Sequence, residues 1–178
     1  MSIESEGGRL CLRPVELSGE AIVDGLLRRL TSYSLAVDGV AWREDGARHF
    51  LMARPPGLRA SAKHTFVVEH SGAPVGLVDL IDGWPTAGTA TIGLLAIAED
   101  LHGQGLGHHA YALVERFVRD QCGCRSIRIA VVATNPVIGF WHRMGFVETG
   151  EKKPYEGLRV STTCAILTRG LAQEDSIV

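Results

Sequence analysis

The chain predicts a single α/β domain of the α+β type, built on a mixed, mainly antiparallel sheet of about seven strands flanked by four helices. Three observations carry this. The 178 residues are 46% hydrophobic and 21% charged, which suits one domain with a sizeable core. Strand and helix periodicities follow one another in the order strand, two helices, three strands, helix, strand, helix, two strands. The three consecutive strand signals are separated only by short Gly-containing turns, the mark of antiparallel hairpins. No internal repeat, low-complexity segment or linker divides residues 1–178, and loose tails are expected at about 1–7 and 172–178.

Taken in order, Leu10-Cys11-Leu12-Arg13 reads as a strand ended by Pro14. Ser18 is placed to cap a helix whose stripe is Ile22, Leu26 and Leu30. A second helix is expected over about Glu44 to Met52, closed by Pro55-Pro56-Gly57. Thr65 to Glu69, Val75 to Ile81 and Thr89 to Ala98 are the three strands in series, turned by Ser71-Gly72-Ala73 and by Gly83-Trp84-Pro85. Leu106, Ala110, Leu113 and Phe117 recur at helical spacing. In Arg125 to Val132, Ile127, Ile129 and Val131 alternate with Arg128 and Ala130. Asn135-Pro136 has the form of a helix start, Asn as cap and Pro in the first turn. Val137, Phe140, Trp141 and Met144 supply that helix's apolar stripe and Gly145 its end. Phe146 to Thr149 and Leu158 to Leu167 complete the strands.

Several function classes are disfavoured. A net charge of −2 and a pI near 6.4 provide no basic field for nucleic acid or anionic lipid. A neutral or cationic small molecule, or a peptide amine, suits that balance better. No apolar run approaches the roughly 20 residues of a membrane span. The acidic start Met1-Ser2-Ile3-Glu4-Ser5-Glu6 is unlike a secretory signal, so a cytoplasmic location is expected. Cys11, Cys122, Cys124 and Cys164 are few and irregularly spaced, unlike a disulfide framework. Cys122-Gly123-Cys124 is half of a metal motif. With no second ligand pair nearby in sequence, it reads as a helix end capped by Gly123, and no metal is expected.

The segment with the most chemical content is Leu101-His102-Gly103-Gln104-Gly105-Leu106-Gly107-His108-His109-Ala110. It joins the end of an apolar strand to the start of an amphipathic helix. Glycines there let the backbone turn tightly and leave no Cβ in a ligand's way. The free amides of the first helical turn, with the helix dipole, form an anion site. A pyrophosphate is the inferred occupant. Gly105-Leu106-Gly107-His108-His109-Ala110 also fits the dinucleotide fingerprint, but no acidic residue ends the next strand at Val132-Ala133-Thr134. His102, His108 and His109 make a poor metal set, because the adjacent pair diverges by about 100° around a helix.

The element order and two motifs resemble the GNAT acetyltransferase superfamily over about residues 9 to 168. The loop motif of that family, Gln/Arg-x-x-Gly-x-Gly/Ala, is matched by His102-Gly103-Gln104-Gly105-Leu106-Gly107, with His in the first position. The late aromatic-x-x-Leu-Gly-Phe segment is matched by Phe140-Trp141-His142-Arg143-Met144-Gly145-Phe146. The resemblance implies a V-shaped splay between two central parallel strands, about Gly93 to Ala98 and Arg125 to Val132. Acetyl-CoA is the implied co-substrate. Its pantetheine arm would pair with Leu95, Ala96 and Ile97, and its pyrophosphate with amides of Gly103, Gln104, Gly105, Leu106, Gly107 and His108. The Leu95 amide would polarise the thioester for direct attack by a primary amine of a small molecule or peptide. Relatives often form homodimers, so a homodimer is part of the expectation.

The chain departs from the family pattern in three places. The tyrosine that commonly protonates the departing sulfur aligns with Trp141. The asparagine that contacts the cofactor usually precedes that aromatic by one residue more than Asn135 does. The glutamate base of histone-lysine acetylating relatives aligns with Thr91. Asp79 is then the leading base, expected opposite Thr91 or one residue away, with a water bridging the two; His142 is the second candidate, expected to face solvent. Tyr33, Trp84 and Tyr155, in or near loops that line the acceptor pocket in relatives, are expected to shape the amine site. The missing tyrosine and glutamate also motivate an alternative, a silent acyl-CoA-binding sensor or interaction module.

Overall fold

Residues 3–4 and 10–172 are described by a computed structural model. The strands are β1 (Ile3–Glu4), β2 (Leu10–Pro14), β3 (Lys63–His70), β4 (Ala73–Asp82), β5 (Thr89–Ile97), β6 (Ser126–Val132), β7 (Val147–Glu156) and β8 (Ser161–Gly170). The helices are α1 (Glu20–Leu27), α2 (Thr31–Asp38), α3 (Gly46–Met52), α4 (Leu106–Asp120) and α5 (Ile138–Arg143). One mixed sheet runs β1-β2-β3-β4-β5-β6-β8-β7. Every neighbour pair is antiparallel except β5 and β6, which are parallel and joined through α4, the crossover that a parallel pair requires.

Helices cover both faces because the central strands β4 and β6 bury both of their sides. On one face Ala110, Leu113, Val114 and Val118 of α4 pack over Phe66, Val78, Leu80, Ile127 and Ile129. On the other, Val23 and Leu26 of α1 and Phe50 and Leu51 of α3 cover Val67, Leu77 and Leu94. The β3–β4 hairpin turns through Ser71 and Gly72, both at positive φ (51° and 80°), as a two-residue hairpin turn demands. No helix among the described residues is long and apolar enough to cross a membrane.

The expected fold class forms, with differences in its elements. There are eight strands. The added one, β1, pairs with Leu12 and Cys11 where a loose tail was expected; the rest of that tail, and 173–178 of the other, lie outside the described residues. Three helices separate β2 from β3. The unexpected one, α2, buries only Val37, so its sequence lacks an apolar stripe. Ser18 sits in a 3-10 turn with no side-chain cap, and α1 starts at Glu20. Its stripe is Val23, Leu26 and Leu30, whereas Ile22 is 40% exposed. Asn135-Pro136 forms a turn, and α5 starts at Ile138 without a side-chain cap. β7 continues through an irregularity between Glu148 and Lys152 to Glu156, well past Thr149.

The local feature that positions the site is where the central pairing stops. β5 pairs with β6 only from Thr89↔Ser126 to Ile92↔Ile129. Beyond Ile92, β5 stays with β4 to Gly76↔Ile97, and β6 stays with β8 to Val132↔Cys164. The two strands therefore part into a V. Its apex is Gly93, the residue that the register shift between Asp79 and Leu80 leaves without a partner on β4.

Candidate active site

The V exposes specific peptide groups. Ala98 N–H donates to Val75 C=O at 2.8 Å. Antiparallel ladders alternate, so Ala96 and Leu94 also turn their peptide groups to β4, opposite Leu77 and Asp79. Leu95 and Ile97 turn theirs into the gap. His102 Nε2 lies 2.8 Å from Ile97 C=O on that side, consistent with this phase, and its N–H donates there. Of the three expected residues, Leu95 and Ile97 face the opening. Ala96 does not, because its peptide groups point the opposite way.

The glycine loop lies at the wide end. Gly103 and Gly105 have φ of 80° and 76°, and a Cβ on Gly103 would meet nothing within 4 Å. Gly105 is the residue before α4, with no side-chain cap. Among the described residues, Gly103, Gln104 and Gly105 donate to no backbone carbonyl. Leu106 and Gly107 open the first helical turn, where no earlier carbonyl can receive their N–H groups. The His108 amide differs from expectation: it donates to Gly105 C=O at 3.1 Å. The loop thus presents unblocked donors beside open space, which fits a pyrophosphate.

Loop and V belong to one cavity of about 1200 Å³, larger than a typical small-ligand pocket and suited to a long, thin ligand. Asn135, Phe140 and Trp141 line it. Trp141 is 7% exposed and packs edge-on to Tyr111, Phe140 and Phe146, so it is a core residue with one face on the cavity. His142 is exposed and lies 3.5 Å from Glu148, turned to solvent.

Tyr33, Trp84 and Tyr155 also line this cavity. Tyr33 stands on α2 and Tyr155 on β7, so elements, not loops, hold them. Burial pushes both phenols above their ordinary range, helped by the nearby Asp38 carboxylate. Thr91 faces Ile81, and Asp79 faces Leu94, so the expected juxtaposition does not form: the hairpin register already sets Asp79 two residues along from Thr91, and the irregularity at Gly93 moves it one further. Thr91 Oγ1 donates to Trp84 C=O at 2.7 Å, which anchors the Trp84 turn. Lys63 Nζ donates to Asp79 Oδ1 at 2.6 Å. Asp79 Oδ2 would stand 2.8 Å from a Cβ on Gly93, directly behind the apex. Burial raises the Asp79 carboxyl above the usual range, although Lys63 and His49 pull it down.

Sequence reasoning passed over Arg128. It is 7% exposed, lines the cavity, and lies 5.2 Å over the Trp84 ring. Among the described residues it has no carboxylate partner. Its signal was a cation inside an otherwise apolar strand.

A family model described as Acetyltransferase (GNAT) family matches residues 27–146, more than half of the chain. The structure is similar to an acetyltransferase from Thermus thermophilus, with 28% identity, 96% of this chain and 100% of that chain covered, and a TM-score of 0.69. It shares its fold with RimL, a ribosomal L7/L12 alpha-N-protein acetyltransferase in complex with coenzyme A, at 15% identity, 96% and 98% coverage, and a TM-score of 0.75. An IAA acetyltransferase from Bacillus cereus shares it too, at 16% identity, 91% and 99% coverage, and a TM-score of 0.61. No curated protein matches the chain. With the parted central strands and the glycine loop that opens α4, the family match identifies the chain as a member of the GNAT acetyltransferase family, an acyltransferase that uses acyl-CoA.

Proposed function

We propose that this chain transfers the acetyl group of acetyl-CoA to a primary amine of a small molecule or a peptide, by direct attack. The observation that carries the reading is the V beyond Ile92, with the Leu95 peptide groups turned into it. Acetyl-CoA supplies an activated thioester. The Leu95 N–H polarises its carbonyl, a contribution of about 10²–10³ in rate for one such donor. Gly103, Gln104, Gly105, Leu106 and Gly107 hold the pyrophosphate, and Asn135 and Trp141 border the cofactor. Tyr33, Trp84 and Tyr155 shape the amine site.

Asp79 is the proposed proton acceptor. Lys63 occupies Oδ1, while Oδ2 faces the Gly93 apex. A water there passes the amine proton to Oδ2, and Thr91 serves by holding Trp84. Trp141 has no acidic proton to give, so the departing thiolate takes its proton from water. Arg128, with only the Trp84 ring for company among the described residues, favours acceptors that carry a carboxylate besides the amine. The balance of the whole chain favoured neutral or cationic acceptors; the local cation argues otherwise.

Two measurements test this. Coenzyme A at 100 times its Kd stabilises by about 2.7 kcal/mol, a rise in Tm of roughly 5–10 °C for a domain of this size. A panel of amines, with and without carboxylates, is then scored for release of free CoA. No thermal shift at millimolar CoA rejects the reading. A shift with no turnover on any amine establishes the silent acyl-CoA-binding module instead.

A further inference from the structure

A second cluster of reactive side chains lies outside the acyl-CoA cleft. His64 on β3, Asp82 at the end of β4 and Cys122 in the turn after α4 bring one donor atom each to within 4.8 Å of one another. All three line a separate cavity of about 670 Å³, which shares no lining residue with the cleft. Cys124 Sγ stands 3.2 Å from Asp82 Oδ1. His64 Nε2 is shut off from solvent and, among the described residues, has no hydrogen-bond partner. A buried ring nitrogen without a partner calls for an explanation.

The donor set supplies one. Neutral imidazole, carboxylate and thiolate are the ligands of zinc-class ions, at about 2.0–2.3 Å. A tetrahedral site with those bonds spaces its donors roughly 3.3–3.8 Å apart. The observed cluster, with its donors up to 4.8 Å apart, must tighten by about 1 Å to reach that spacing. The Phe117 ring, edge-on at 5.1 Å, packs against the imidazole.

We propose that His64, Asp82 and Cys122, with Cys124 beside them, form a site for a zinc-class divalent ion that ties the C-terminal turn of α4 to the start of β3 and the end of β4. The sequence offered only Cys122-Gly123-Cys124; the fold adds the two distant ligands. Binding forms a bond from the metal to Cys122 Sγ and releases the thiol proton to solvent, with no change of oxidation state. The site is independent of the acetyltransferase reading.

The test uses the full chain, stripped with chelator and kept reduced with a phosphine. Zn(II) is titrated calorimetrically in two buffers of different ionisation enthalpy, and Co(II) is followed by absorbance. The expected result is one Zn(II) per chain, at least one proton released, tighter binding as pH rises, and a thiolate-to-cobalt charge-transfer band. Cys122→Ser removes that band and weakens Zn(II) by at least roughly 100-fold, and His64→Gln weakens it by at least roughly 10-fold. Cys11→Ser, a thiol on β2 beside Glu69 at the opposite end of β3 from His64, leaves binding intact. Failure of the wild type to bind Zn(II) more tightly than millimolar overturns the site. Binding that survives both Cys122→Ser and His64→Gln at full strength does so as well. Circular dichroism of each metal-free variant verifies its fold, and His64→Gln alone decides if Cys122→Ser does not fold.

Discussion

The two ends of α4 make an instructive contrast. Both belong to one 15-residue helix, about 22 Å long, with one continuous buried stripe between them. At the first end, glycines at positive φ leave the backbone bare, and open space meets amides that have no carbonyl partner among the described residues. At the second, the chain turns at Gly123 (φ 63°), Cys124 N–H returns to Val118 C=O, and side chains from β3 and β4 crowd in. The helix dipole carries about half a positive charge at the first end and half a negative charge at the second. An anion suits one and a cation the other. The dipole sets only the sign; the loop decides the ligand, by removing side chains at one end and converging them at the other.

The largest expected effect breaks the first end. Gly105→Glu forces a side chain into a left-handed conformation, which costs about 1–2 kcal/mol, and puts a carboxylate where the pyrophosphate sits. The CoA-induced rise in Tm disappears, and kcat/KM for acetyl-CoA falls by more than about 100-fold. A variant that keeps its thermal shift removes the anion role of this loop.

Asp79→Asn tests the chemistry next to it. A base of this kind contributes about 10²–10⁴, so kcat falls by roughly 100-fold while the KM for acetyl-CoA holds. Asp79 must be ionised to accept a proton, and burial raises its carboxyl. Wild-type kcat/KM therefore declines as pH falls through a value above the ordinary carboxylate of about 3.9. Asp79→Asn loses that limb. An identical limb in the variant assigns the base elsewhere.

Arg128→Met sharpens the acceptor end. The KM for carboxylate-bearing amines rises by roughly 10-fold or more, since an ion-paired hydrogen bond contributes about 1.5–3 kcal/mol. Neutral amines are unaffected. Equal loss on both classes makes Arg128 structural.

The smallest effect belongs to the second end. Cys122→Ser, which removes only a half-buried thiol, leaves acetyl transfer within about two-fold of wild type in metal-free buffer, because the two cavities share no residue and distant sites act additively. A large loss of turnover would couple the two ends through α4.

Much of this was legible residue by residue. The Gly103–Gly107 loop, the stripe of α4 and the strands from Lys63 to Ile97 each carry a local pattern, and each forms close to its expected bounds. α2 was not legible, because Thr31–Asp38 buries a single residue and shows no stripe. Asn135 and Ser18 have cap chemistry but do not occupy the caps, because α5 and α1 start later, after Val137 and Gly19. Arg128 was assigned to a strand face, but its burial beside Trp84 depends on a turn far off in sequence.

The amino-acid order by itself determined the periodicities, the bare loop at the head of α4 and hence the family likeness, because these depend on residues within a few positions of one another. Tertiary structure alone decided the rest. The hairpin register and one unpaired glycine at position 93 set Asp79 against Leu94, not Thr91, and turn Leu95, not Ala96, into the cleft. Packing α4 against β3 and β4 brings His64 and Asp82 to Cys122. Register and long-range convergence are properties of paired strands, and a single residue inserted in one strand changes what every later residue faces.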